Sequence, residues 1–259
     1  MKQRVISAIV ALIICIPIIM FGGIWFDIGI SIVGCLGLKE LNNVSVQNKN
    51  SFIKILSYVS LILIILNGRI FDGTFELSYA ISIFLLFIPL IFIDKKNYNF
   101  MDAIVIFGNV AFLGFAFSLL RNARVEDLLV FIYLFLITVL TDTFAYICGK
   151  SFGKHKLIPK VSPNKTIEGS VSGTLIATII ASIFYIYEIN PGVNIPMIIL
   201  VTFILSIIGQ LGDLFFSSIK RYFKIKDFSN IMPGHGGILD RLDSIIFTVI
   251  GYTILIGLI

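Results

Sequence analysis

Asp142, Glu168, Asp213, Asp240 and Asp243 stand inside or at the ends of the last four long apolar runs. A carboxylate centred in a membrane costs roughly 2.5–3.5 kcal/mol on insertion scales, so such residues need a purpose or a partner. Asp240 and Asp243 are three apart and project from one helical face. Asp213 closes the apolar run before them. At one depth these three would repel each other, with little but Arg241 between them. A hard divalent cation relieves that repulsion, and carboxylate oxygen is the ligand type Mg2+ prefers. Asp213, Asp240 and Asp243 are therefore expected to ligate a metal, directly or through water. The structural alternative is that each caps a helix or pairs with a nearby Lys, and it weighs more for Asp142 and Glu168.

Between these acids lies Pro233-Gly234-His235-Gly236-Gly237, leading straight into a helix start. Gly234, Gly236 and Gly237 have no side chain to hold a phosphate away from the backbone N–H groups. A helix N-terminus favours anions. His235 is a candidate for contacting a phosphate or a metal-bound ligand; its plain alternative is a solvated turn residue. Upstream, residues 217–227 mix cations with apolar side chains, and Lys220, Arg221 and Lys226 are expected to hold phosphates. This segment reads as an interfacial helix along the inner leaflet, and a generic anchor for anionic lipid is the competing reading. A second polar block runs Ser162-Pro163-Asn164-Lys165-Thr166-Ile167-Glu168-Gly169. There Ser162 or Asn164 is expected to cap the next helix, and Lys165 to meet a nucleotide phosphate.

What positions these residues is a membrane scaffold. Of the 259 residues, 58% are hydrophobic and 14% charged, and the mean hydropathy is +1.01. A soluble domain carries about 25% charged residues, so too little polar surface exists here to coat a water-soluble globule. The expected fold is all-α: one polytopic integral membrane domain over 1–259, with N-terminal spans in 1–127 and catalytic spans and loops in 128–259. Nine apolar runs approach the roughly 20 residues that cross a bilayer: 4–21, 24–38, 52–67, 76–93, 101–120, 128–149, 166–187, 195–215 and 238–258. With the N-terminus cytoplasmic, seventeen of the 20 Lys and Arg fall inside and only Arg69, Arg121 and Arg124 outside. That follows the positive-inside rule and puts the acids near the cytoplasmic face. The net charge of +5 is then a matter of loop topology, not of nucleic-acid binding. The first run lacks a small-residue cleavage site and reads as a retained span. Cys15, Cys35 and Cys148 fit no metal spacing and read as small buried hydrophobes.

The chain resembles phosphatidate cytidylyltransferases, the CDP-diacylglycerol synthases. The family signature has the form Ser-x-apolar-Lys-Arg, four residues, Lys-Asp, then Pro-Gly-His-Gly-Gly-apolar-x-Asp-Arg-apolar-Asp. Here it runs from Ser217 through Lys220-Arg221 and Lys226-Asp227 to Pro233–Gly237 and Asp240-Arg241-Leu242-Asp243. Residues 209–213, 162–169 and 141–146 resemble other family blocks, so the likeness in detail covers about 138–244. Phe216, Asn164 and Ile167 depart from the usual family pattern.

The resemblance implies transfer of CMP from CTP to phosphatidic acid, giving CDP-diacylglycerol and pyrophosphate for phospholipid synthesis. It implies Mg2+, with a second ion such as K+, and a homodimer. It puts Ser217, Lys226, Asp227, Gly234, Gly236, Gly237, Arg241, Lys165, Glu168 and Asp142 among substrate-binding positions. Asp213, Asp240, Asp243, Lys220, Arg221 and His235 fall in the catalytic set. The implied location is the bacterial inner membrane, multi-pass, with the site facing the cytoplasm. A cation-coupled transporter with a carboxylate ion site is the alternative. It would place such acids near the midplane and show repeated halves, and no repeat is visible here.

Overall fold

The computed structural model describes residues 2–46, 50–72, 74–232, 234 and 236–258, with side chains from residue 12 to 257 within those ranges. Each of the nine apolar runs carries helix. In order these are α1 (Lys2–Phe21), α2 (Gly23–Ser45), α3 (Ser51–Ile65), α4 (Asn67–Ile70), α5 (Phe75–Phe87), α6 (Pro89–Phe92) and α7 (Phe100–Glu126). There follow α8 (Leu128–Phe152), strands β1 (Lys156–Ile158) and β2 (Ser162–Thr166), α9 (Ile167–Phe184), α10 (Ile195–Tyr222) and α11 (Leu239–Leu255). Among the described residues, five stretches are long and apolar enough to cross a membrane: 75–92, 100–126, 128–152, 167–189 and 195–222. The protein is thus an all-α polytopic membrane protein.

The chain forms two compact units. One comprises residues 1–125 and 227–240, the other 126–226 and 241–259. In the first, α2 packs on α1 and α3, and α3 on α5. Among its buried polar groups is Asp27, whose carboxylate meets Arg121 at 2.6 Å and Arg69 at 2.5 Å.

In the second unit α8, α9 and α10 pack on one another. Asp127 caps α8 by accepting from Leu129 N at 2.7 Å. The α8–α9 contact rests on small residues: Gly169 and Gly173 lie four apart, where a Cβ would come within 2.5 Å of Ala145 O and 2.6 Å of Thr141 O. Without a hydrophobic drive between helices in lipid, such close backbone approach is what holds them. Polar links tie α10 to both helices: Tyr133 with Thr202 at 2.7 Å and Thr141 with Ser206 at 2.7 Å to α8, and Gln210 Nε2 to Thr174 at 2.6 Å to α9.

Three local expectations are corrected. Residues 217–222 are the last turns of α10, not a separate interfacial helix. The stripe of Gly209, Gly212, Phe216, Ser217 and Lys220 keeps helical spacing and stays buried, so no break occurs near 215. The chain turns only after Tyr222, with Lys224 at φ +58°. The cap of α9 is Thr166, accepting from Gly169 N at 3.2 Å, because Ser162 and Asn164 are taken into an antiparallel ribbon. The cysteines are not buried: Cys15 is exposed and Cys35 and Cys148 are partly so. A small apolar thiol facing lipid carries no penalty of the kind water would impose.

Candidate active site

Three carboxylates gather within the second unit. Asp142 stands on α8, Asp213 toward the end of α10 and Asp243 in the first turns of α11. Asp243 lies in the electrostatic field of both Asp213 and Asp142. Three cations share the place: Lys165 and Arg241 act on Asp142, and Lys220 on Asp243. Asp213 is held on both oxygens. Lys165 Nζ pairs with its Oδ2, and Ser217 Oγ, one turn on, donates to its Oδ1 at 3.2 Å. Asp243 is 8% exposed, and its Oδ1 accepts from Ser244 N at 2.8 Å. Lys220 is as deeply placed, at 7%. Ser244 Oγ reaches Asp142 Oδ2 at 3.4 Å.

Local sequence explains why these groups can meet. Gly212 precedes Asp213, and a Cβ there would lie 2.6 Å from Asp243 O and 2.8 Å from Phe247 Cβ. Glycine lets the backbones of α10 and α11 touch where their carboxylates stand. Lys165 arrives because the β1–β2 ribbon pins residue 166 opposite Lys156 just before α9 begins.

Equal numbers of acids and bases in one place suit a ligand that is a polyanion with its counter-cation. The oxygen donors are those a magnesium ion takes. Among the described residues no three His, Cys, Asp or Glu side chains form a ready-made metal cage. None is required, since Mg2+ is usually held by one or two carboxylates together with water and substrate phosphate. Asp213 and Asp243 fit that mode.

The glycine turn belongs to the first unit. Met232 and Gly236 exchange two backbone hydrogen bonds, at 3.0 and 3.1 Å. Gly234 (φ +78°) and Gly236 (φ +85°) take the left-handed conformation that glycine adopts without strain. Asp240 Oδ2 accepts from Phe228 N at 3.0 Å and Gly237 N at 2.9 Å, closing the turn from inside. In this structure that oxygen of Asp240 therefore organises the loop. Pro233 and His235 lie outside the described residues, so the His235 expectation is not addressed. Gly234, Lys226 and Asp227 are exposed, and Gly237 is buried.

Two other expected site residues have structural partners. Glu168 accepts from Lys154 N at 3.1 Å and meets His155 Nδ1 at 2.6 Å, tying residues 154–155 to the start of α9. Arg221 Nε donates to Val161 O at 3.2 Å and its Nη1 to Ile225 O at 3.1 Å, joining the ribbon turn to the chain beyond α10. One residue that sequence reasoning missed is Glu40, a buried acid of α2 that accepts from Ser229, Ile238 and Leu239. Its only signal in the sequence is an acid at the end of an apolar run.

The sequence model described as "Cytidylyltransferase family" matches residues 2–259. The chain belongs to this family. Among its relatives is a phosphatidate cytidylyltransferase of Staphylococcus haemolyticus, 41% identical over 251 residues that make up 96% of each chain. Proteins of the same name from Staphylococcus aureus and Staphylococcus epidermidis are 40% and 38% identical over the same share.

Proposed function

We propose that this membrane cytidylyltransferase transfers CMP from CTP to phosphatidic acid, releasing pyrophosphate and forming CDP-diacylglycerol. The supporting observation is that a chain related over 96% of its length to phosphatidate cytidylyltransferases gathers Asp142, Asp213 and Asp243 with Lys165, Lys220 and Arg241. A phosphate oxygen of phosphatidate forms a bond to the α-phosphorus of CTP. The bond from that phosphorus to the α–β bridging oxygen breaks, and the electron pair leaves with pyrophosphate. The lipid phosphate is already nucleophilic, so no serine or cysteine nucleophile is needed. The protein has to align the two phosphates and neutralise the charge that develops on the leaving group.

Lys165 and Lys220 supply that neutralisation, with Arg241 and the exposed Arg221 and Lys226 receiving the outer phosphates. Ser217 orients Asp213. Asp240 shapes the glycine turn through Phe228 N and Gly237 N. Asp213 and Asp243 are the residues to hold Mg2+, with Asp240 a further candidate; the ion would supply charge stabilisation at the phosphates. A monovalent ion such as K+ and a homodimer belong to the same reading. So does a bacterial inner-membrane location with the N-terminus and the site facing the cytoplasm, supported by the distribution of Lys and Arg. Nothing about the family favours the transporter alternative.

The deciding experiment supplies labelled CTP and phosphatidate in detergent micelles. Magnesium-dependent appearance of lipid-soluble cytidine label is the expected result. Its absence, with ion flux in liposomes instead, would overturn the proposal.

A further inference from the structure

Within the first unit, Glu40 is the acid most completely enclosed. It lies in the last two turns of α2 and is 1% exposed. Three donors converge on it: Ser229 Oγ at 2.6 Å and Ile238 N at 2.8 Å on Oε1, and Leu239 N at 2.9 Å on Oε2. These donors bracket the glycine turn, Ser229 on the entering strand of chain and residues 238–239 on the leaving one. The two backbone N–H groups are among those at the start of α11 that have no partner within the helix. The fit is tight from the other side as well. At Gly237 an added Cβ would stand 2.6–2.7 Å from both carboxylate oxygens. Glycine is needed there for room, not for backbone conformation.

We propose that Glu40 is a positioning residue for the reaction: its carboxylate fixes Ser229 and residues 238–239, and with them the adjoining Asp240, before substrate arrives. Only a carboxylate meets the geometry. Both of its oxygens accept, and each faces at least one N–H. A glutamine would turn an NH2 toward one of those N–H donors and leave both unpaired, which costs more than a missing bond. The inference rests on the cytidylyltransferase reading, because it gives Asp240 a part in the reaction.

The test uses the full chain in detergent micelles with labelled CTP and phosphatidate, comparing wild type, Glu40→Gln and Ser229→Ala. Glu40→Gln is expected to lower kcat/KM for CTP about 10- to 100-fold per folded molecule, the scale of lost preorganisation. Amide exchange at residues 236–239 should rise about tenfold or more, with peptides of α8–α10 unchanged. Ser229→Ala removes one of the three donors and should move both readouts the same way by about 2- to 5-fold. Wild-type kinetics and wild-type exchange in folded Glu40→Gln would overturn the proposal. So would activity that falls only in step with the folded fraction. If Glu40→Gln does not fold, Ser229→Ala decides alone on the same two readouts. An inactive wild type would instead sink the functional reading itself, so the two failures are distinguishable.

Discussion

Lys165, on a two-stranded ribbon, forms an ion pair with Asp213, on the longest helix of the protein. Both side chains are about a quarter exposed, each at 24%, so the pair is reachable by a ligand yet shielded enough to matter. A basic group and an acid side by side can part to take a phosphate and its counter-cation separately.

Replacing Lys165 with Ala is expected to lower kcat/KM for CTP about 100-fold, within the range for loss of a cation that stabilises a transferring phosphate. Lys165→Arg should recover only part, since a planar fork does not replace a compact ammonium at one carboxylate oxygen. Steady-state kinetics with labelled CTP check both, and equal activity in all three proteins would remove Lys165 from the site.

Asp243→Asn should cost about 2–3 kcal/mol of transition-state stabilisation, read from kcat/KM. The amide keeps the size of the side chain but not its charge beside Lys220 and Asp213. Stripping divalent cations with EDTA should silence wild type, and added Mg2+ should restore it. A folded Asp243→Asn with an unchanged Mg2+ titration would count against Asp243 as a ligand.

At Gly212 the expected defect is mechanical. Alanine would drive a methyl group into Asp243 O and Phe247 Cβ, and overpacking of this kind costs about 1–3 kcal/mol. Thermal unfolding in detergent should show the loss. Activity should fall further than stability, because the helices bearing Asp213 and Asp243 are forced apart at that point.

Asp27 offers the opposite pattern. It is buried between Arg121 and Arg69, with Arg121 only 8% exposed. Asp27→Ala leaves a buried guanidinium without its acid, which costs about 3–5 kcal/mol. The unfolding midpoint should drop markedly. Turnover per folded molecule should stay within about twofold of wild type, the ordinary outcome away from a reacting group.

Much of this was legible in the residues, because bilayer-spanning helices announce themselves by length and hydropathy. The apolar runs carry the helices. Asp142, Asp213 and Asp243 lie in one another's electrostatic field, while Asp240, expected to join Asp213 and Asp243, accepts from Phe228 N and Gly237 N in the turn. The segment from 217 to 222 was misread since its cations resemble a surface anchor, while its buried stripe continues the helix beneath. The β1–β2 ribbon was hidden by Pro159 and Pro163, which look like turn residues. A two-stranded ribbon tolerates proline because its edges need no partner. Glu40 could not be found by spacing. Its partners lie 189 to 199 residues away, and beside Lys39 it passes for one half of a surface pair.

The turn between residues 227 and 240 is grouped with the N-terminal 125 residues, while the signature letters on either side are grouped elsewhere. A fragment starting at residue 126 would retain every letter of the signature and still lack the helix that braces its central loop. The N-terminal half is thus more than an anchor for a catalytic tail. Minimising such an enzyme by trimming from the front should fail even where insertion succeeds.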